Sequence, residues 1–212
     1  MKNRTTQLLY AYWNEVRRGS LAPRRFDIEP ARIAGLLAQT IILEQTDRHS
    51  YRFRLAGTRI VEQFARELRG TDFLQPWSST DAESLALTLQ RIANDGGVGV
   101  LEMDARTADG RSVAFEAIIL PLIHTRGTVD RFLGAISTIE APAWLGTEPI
   151  VSLTLTRREI VWPDGRPHSL ASRMGQPPAL APQSAHGRIV RSQRRQFRVL
   201  DGGLGQEPPH KT

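Results

Sequence analysis

Arg52-Phe-Arg-Leu-Ala-Gly-Thr-Arg-Ile-Val-Glu-Gln-Phe-Ala-Arg-Glu-Leu-Arg-Gly70 is the stretch from which the rest of the chain is read. Phe53 and Leu55 alternate with Arg52 and Arg54, the period-two pattern of a half-buried strand. Gly57 gives the backbone freedom to turn, and Thr58 is placed to cap a following helix. Ile60, Val61, Phe64, Ala65 and Leu68 then fall on one helical face, and Gly70 stands where that helix is expected to end.

Upstream, residues 5–18 read as an amphipathic helix with Leu8, Leu9, Tyr12, Trp13 and Val16 on one stripe. That stripe has to be buried on the domain or on a second copy, so Leu9, Tyr12, Trp13 and Val16 are the interface candidates for a homodimer. Asp27 reads as the cap of a short helix carrying Ile33, Leu36 and Leu37. Residues 40–44 and 49–56 read as two strands around the turn Asp47-Arg48-His49-Ser50. A loop over 71–77, broken by Pro76, leads to a helix capped by Thr80 or Asp81 and running to about Asn94, with Leu85, Leu89 and Ile92 inward. Three strands follow, over 98–107, 112–123 and 131–139, with Ala108-Asp-Gly-Arg111 as a hairpin turn. Pro121 marks an edge or a strand end. Residues 151–162 read as one or two further short strands. Pro, Gly, Ser and Ala dominate 163–187, a composition of linker or disorder.

Charge divides the chain. Residues 1–164 carry 20 Lys and Arg against 20 Asp and Glu, and residues 165–212 carry 8 against 2. The high isoelectric point therefore describes a neutral domain with a basic tail. The chain has no cysteine, which removes disulfides, thiolate metal sites and cysteine nucleophiles. Its apolar runs, such as Ala117-Ile-Ile-Leu120, are far too short to cross a bilayer, and no apolar core follows Lys2 and Arg4 as in a secretion signal. A cytoplasmic location is the expectation.

Two strands, helices and then a three-stranded meander is the element order of a PAS domain. More specific words accompany it: Tyr12-Trp13, Arg17-Arg18-Gly19, Pro23, Asp27-Ile-Glu-Pro30, Arg54-Leu-Ala-Gly-Thr-Arg59, Glu67-Leu-Arg-Gly70, Glu116 before Leu120-Pro-Leu122, and Gly134-Ala135. Over residues 5–141 the chain resembles an alphaproteobacterial PAS-like domain family, and Phe197-Arg-Val-Leu-Asp-Gly-Gly203 resembles the closing words of some members. The resemblance implies an α+β fold: a PAS-like five-stranded antiparallel sheet with helices on one face, an N-terminal amphipathic helix and a flexible basic C-terminal tail. The implied organisation is a helical arm over 1–26, the domain over 27–141, a short extension over 142–164 and the tail over 165–212. It also implies a bacterial sensory or regulatory module acting through protein–protein contacts in a signalling pathway, with no catalytic role.

A PAS pocket can hold haem, flavin or a metabolite, and the residues bear on each. Haem needs an axial ligand, and His49 and His124 fall in a turn and at a strand end, away from the residue 58–70 helix. A flavin attached through cysteine has no cysteine to use. A noncovalent ligand stays open, its identity unspecified. Arg54 and Arg59 flank Gly57 and read either as an anion clamp or as structural ion-pair partners, with Glu116 the candidate partner of Arg54. Arg54, Gly57, Arg59, Phe64, Trp77 and Glu116 are the pocket candidates.

No nucleophile–base motif, metal spacing or phosphate loop occurs. The alternative function lies in the tail, where Arg188, Arg191, Arg194, Arg195 and Arg198 are close enough together for several phosphate contacts with nucleic acid. Arg194 and Arg198 share the spacing of the arginine pair in PilZ cyclic-di-GMP sites, but the barrel motif that should follow is missing.

Overall fold

A computed structural model describes residues 1–124, 127–168 and 170. Helix α1 (Arg4–Arg17) opens the chain, its N-cap Asn3 accepting from the Thr5 N–H. Two 3-10 segments follow, Arg25–Asp27 and Pro30–Gln39. Strands β1 (Thr40–Asp47) and β2 (Ser50–Ala56) form a hairpin whose turn is fixed by the Asp47 carboxylate accepting from the His49 N–H at 2.8 Å. Helices α2 (Thr58–Phe64) and α3 (Ser79–Asp95) come next, then β3 (Val98–Thr107), β4 (Ser112–Ile123), β5 (Val129–Thr138) and β6 (Ile150–Val161). All paired strands are antiparallel, in the order β2-β1-β5-β4-β3-β6.

The expected five strands are therefore six. Residues 150–161 extend the sheet beyond β3 over nearly its whole length instead of lying outside it. Ser152 to Thr156 alternate strongly enough to suggest a strand, but pairing with β3 depends on residues 43 to 63 positions away.

Helices α2 and α3 lie on one face as expected, and α1, whose place the sequence left open, covers the other. Residues Phe115 to Leu122 of β4 are buried without interruption, which requires cover on both sides. One side packs Phe115, Ala117, Ile119, Phe132 and Ile136 against α2, α3 and the loop between them. On the opposite side Ile118, Leu120, Leu122, Leu133 and Ala135 meet Leu9, Tyr12 and Trp13 of α1. The Trp13 indole donates to the Pro121 carbonyl at 2.8 Å. Because a strand residue points its N and O the same way, Pro121 faces α1 rather than β5 and costs the ladder no hydrogen bond. Arg17 is buried, stacks on Trp13 and is held by Asp164 through two hydrogen bonds of 2.6 and 3.1 Å. The stripe, expected to be buried on the domain or on a second copy, is thus buried on the chain's own sheet, with Leu8 left 46% exposed and Val16 partly buried.

Between β2 and α3 the path also departs from the expectation. α2 ends at Phe64 because Ala65 takes a left-handed conformation, φ 49°. The chain then turns back so that residues 70–73 run along the outer edge of β2: Gly70 and Phe73 N–H groups donate to Phe53 and Tyr51 carbonyls, and Phe53 donates to Thr71. A helix continued to residue 70 has no free main-chain groups to offer that edge. Thr58 caps nothing; Gly57 is the N-cap and its N–H donates to Thr40. Asp27 accepts from the Arg24 N–H within the first 3-10 turn, and the helix after it starts instead at Pro30.

Leu55 corrects the reading of β2 most directly. Ile42 pairs with Leu55 but its neighbour Leu43 pairs with Phe53, so Arg54 is an extra residue in a β-bulge. The inserted residue reverses the alternation. Phe53 points into the α2–α3 core, and Leu55 points to the other face, where it is 40% exposed.

Candidate functional site

The six pocket candidates do not converge on one cavity. Phe64 and Trp77 are buried in the core between the sheet and α2–α3. Phe64 packs on Phe115, ring centroids 5.5 Å apart, and the Trp77 indole donates to the Phe73 carbonyl at 2.9 Å. Gly57 lies where the chain enters α2 against the 3-10 segment, and a Cβ there would collide with the Leu37 and Ala38 carbonyls. It is the close approach, not a left-handed turn, that requires glycine, since its φ is −66°.

Arg54 and Arg59 part ways at Gly57. Arg54 is 61% exposed and pairs with Glu44, not with Glu116. Glu44 sits between two arginines, Arg54 on β2 and Arg131 on β5 at 2.6 Å. Its hydrogen bond from Arg54, helped by Arg131, holds the Glu44 carboxyl below its ordinary range against the effect of burial. This is a cross-strand ion-pair ladder, and the register Glu44↔Arg131 sets it. Arg59 lies on the exposed face of α2 and lines a separate groove of about 590 Å³ with Gln39, Gln63 and Thr147.

Glu116 is the most informative of the six. It is fully buried on the face covered by α1, where its carboxylate accepts from the N–H groups of Lys2 (2.7 Å) and Asn3 (3.0 Å) and from the Thr6 hydroxyl (2.5 Å). Burial pushes the Glu116 carboxyl up, but these three donors together outweigh it and the group lies below its ordinary value. Polar groups continue on either side. Glu102, opposite Glu116 on β3, pairs with Lys2 Nζ at 2.8 Å, and Ser137, opposite it on β5, accepts from Gln39. Gln39 in turn accepts from the Thr5 hydroxyl. The start of α1 is therefore fastened to three strands around one buried carboxylate. The sequence marks these donors poorly, because two of the three are main-chain N–H groups, which have no letter.

The interior of the domain tests the cofactors that the fold brings to mind. Tyr51, Phe53, Phe64, Phe73, Trp77, Phe115 and Phe132 belong to one buried cluster there, with ring contacts of 5.5–5.9 Å joining Tyr51 to Phe132, Phe64 to Phe115, and Phe73 to both Phe53 and Trp77. Burial raises the Tyr51 hydroxyl to about 12, with Asp47 and Asp72 adding to it. A flavin or haem at that place would have to displace these rings. His49 is exposed in the β1–β2 turn, and His124 stacks on Phe26 beside Asp130, so neither faces this interior. The tail candidates Arg188, Arg191, Arg194, Arg195 and Arg198 lie outside the described residues.

A sheet of this topology, with helices inserted between β2 and β3, defines a PAS-type domain. A family model described as PAS domain matches residues 1–137, and the chain belongs to that family. Among solved structures, a light-oxygen-voltage domain studied with a flavin analogue is 16% identical with a TM-score of 0.39, over 52% of this chain and 83% of that one. A light-oxygen-voltage protein from Rhodobacter sphaeroides is 11% identical with a TM-score of 0.39, over 55% and 71%. The PAS domain of an HTR-like protein from Haloarcula marismortui is 18% identical with a TM-score of 0.38, over 51% and 90%. No curated protein matches the sequence. Among the described residues no helix is long and apolar enough to cross a membrane.

Proposed function

We propose that this chain is a non-enzymatic regulatory module that signals by protein–protein contact, with α1 as its movable output. The observation carrying this reading is the Glu116 clamp. Attachment of the start of α1 centres on one buried carboxylate, with Glu102, Gln39 and Thr138 beside it, and the stripe beneath, Leu9, Tyr12 and Trp13, is apolar enough to serve a partner once lifted. Charged side chains buried elsewhere support the same view, since Arg17 is likewise used to hold α1, through Asp164. The closed aromatic interior favours a module whose input is a partner or an outer-face ligand over one that carries a large cofactor.

Native mass spectrometry of the protein purified from its own host, combined with hydrogen exchange, tests the proposal. The expected result is a protein partner at fixed stoichiometry and lowered protection of the α1 amides in that complex. A chain that is recovered alone from every preparation, or a partner that leaves α1 protection unchanged, would overturn it.

A further inference from the structure

Cover on the outer face of the sheet is uneven. α1 lies over β4 and β5, and among the described residues β1 and β2 are shielded on this face by Arg25, Ile28 and the Pro30–Gln39 segment. Between that segment and the sheet runs a groove of about 340 Å³. Its floor is a cross-strand row, Leu55, Ile42 and Leu133, and Ile33 and Leu37 line it from the 3-10 segment. Leu37 and Leu55 are 39% and 40% exposed, large apolar side chains side by side at the surface.

One charged residue lines this apolar groove. Arg25 is partly buried there, and among the described residues its guanidinium has neither an ion pair nor a hydrogen bond. A partly desolvated cation with no counter-ion beside an apolar surface is an arrangement that an anion with an apolar body completes. The volume is at the small end of ligand cavities, roughly 300–1,000 Å³. That size suits a small molecule better than a partner helix, which lays several anchors along a longer groove.

We propose that the groove binds a small amphiphilic carboxylate, with its apolar chain on Ile33, Leu37, Ile42 and Leu55 and its carboxylate on Arg25. The site is on the opposite face from the aromatic interior and does not require α1 to move, so it stands or falls independently of the function proposed above.

The full chain is titrated with octanoate, 1-octanol and acetate by calorimetry, with methyl NMR to locate binding. Octanoate is expected to saturate with shifts at Ile33, Leu37, Ile42 and Leu55, octanol to bind at least about tenfold more weakly, and acetate to leave the spectra unchanged. Arg25→Gln should bring octanoate down to the affinity of octanol without moving the thermal midpoint. Equal affinity for octanoate and octanol in the unmodified chain would overturn the proposal without recourse to any variant. Shifts centred on Leu89 and Ile119 of the inner cluster would overturn it too, as would saturation by none of the three probes.

Discussion

Gly57 has an ordinary backbone conformation, φ −66° and ψ 153°, and yet a side chain has no room there. The Leu37 and Ala38 carbonyls stand where a Cβ would go, and main-chain atoms cannot swing aside as a side-chain tip can. Gly57→Ala is therefore expected to cost about 1–3 kcal/mol, the usual penalty of overpacking. Gly35, in the neighbouring 3-10 segment, has nothing within 4 Å of its would-be Cβ and no left-handed φ. Gly35→Ala should be neutral or stabilise by about 0.4–1 kcal/mol. Urea melts of the two variants decide the matter, and equal midpoints would contradict it. Glycine was visible in the sequence as a turn signal at residue 57. The reason for it was not, because the atoms it makes room for are about twenty residues away in the chain.

At the scale of elements, the start of α1 depends on Glu116. Its carboxyl is lower in the folded protein than in the unfolded chain, so the charged form favours folding. The stabilisation is complete above the ordinary glutamate range and is lost as pH falls through the lowered folded value. Protection of the Gln7–Val16 amides should hold constant at neutral pH and decline in acid. In Glu116→Ala it should be low at every pH, since hydrogen bonds to a charged group are worth about 1.5–3 kcal/mol each. Protection in that variant equal to the parent at pH 7 would refute the clamp. How far the elements could be read from sequence follows the range of the signals. β3, β4 and the hairpin turn at residues 108–111 repeat short periodic patterns and emerge at their expected bounds, while α3 starts earlier than expected, capped by Ser78 rather than by Thr80 or Asp81. α2 was read too long because Leu68 keeps the helical spacing, while the left-handed Ala65 and the pairing of residues 70–73 with the β2 edge are set by tertiary contact. The candidate site was less legible still. Glu116 was singled out for an arginine, and its partners are main-chain N–H groups and a hydroxyl from α1.

For the whole molecule, the distribution of charge gives the next test. The excess of basic residues lies beyond residue 164, while the domain is balanced. If the tail acts on nucleic acid, affinity should fall steeply with salt, with a slope near −0.9 for each phosphate contacted on duplex DNA. A protein–protein module predicts no such dependence, and deletion of residues 187–212 should leave partner capture intact. A steep salt slope abolished by that deletion would favour the nucleic-acid reading instead.

The extra residue at Arg54 links these scales. Before it, β2 supplies Tyr51 and Phe53 to the interior; after it, the same strand supplies Leu55 to the opposite surface. The bulge acts as a phase shifter within one strand, so two compartments are furnished by seven consecutive residues. Substitutions at Arg54 keep that count and preserve the division. Loss of the bulge at constant chain length would not: a regular strand would place Leu55 in phase with Phe53, and the outer groove would lose part of its floor while the interior gained a side chain it has no space for. Tolerance in this strand is thus a matter of spacing before it is one of chemistry.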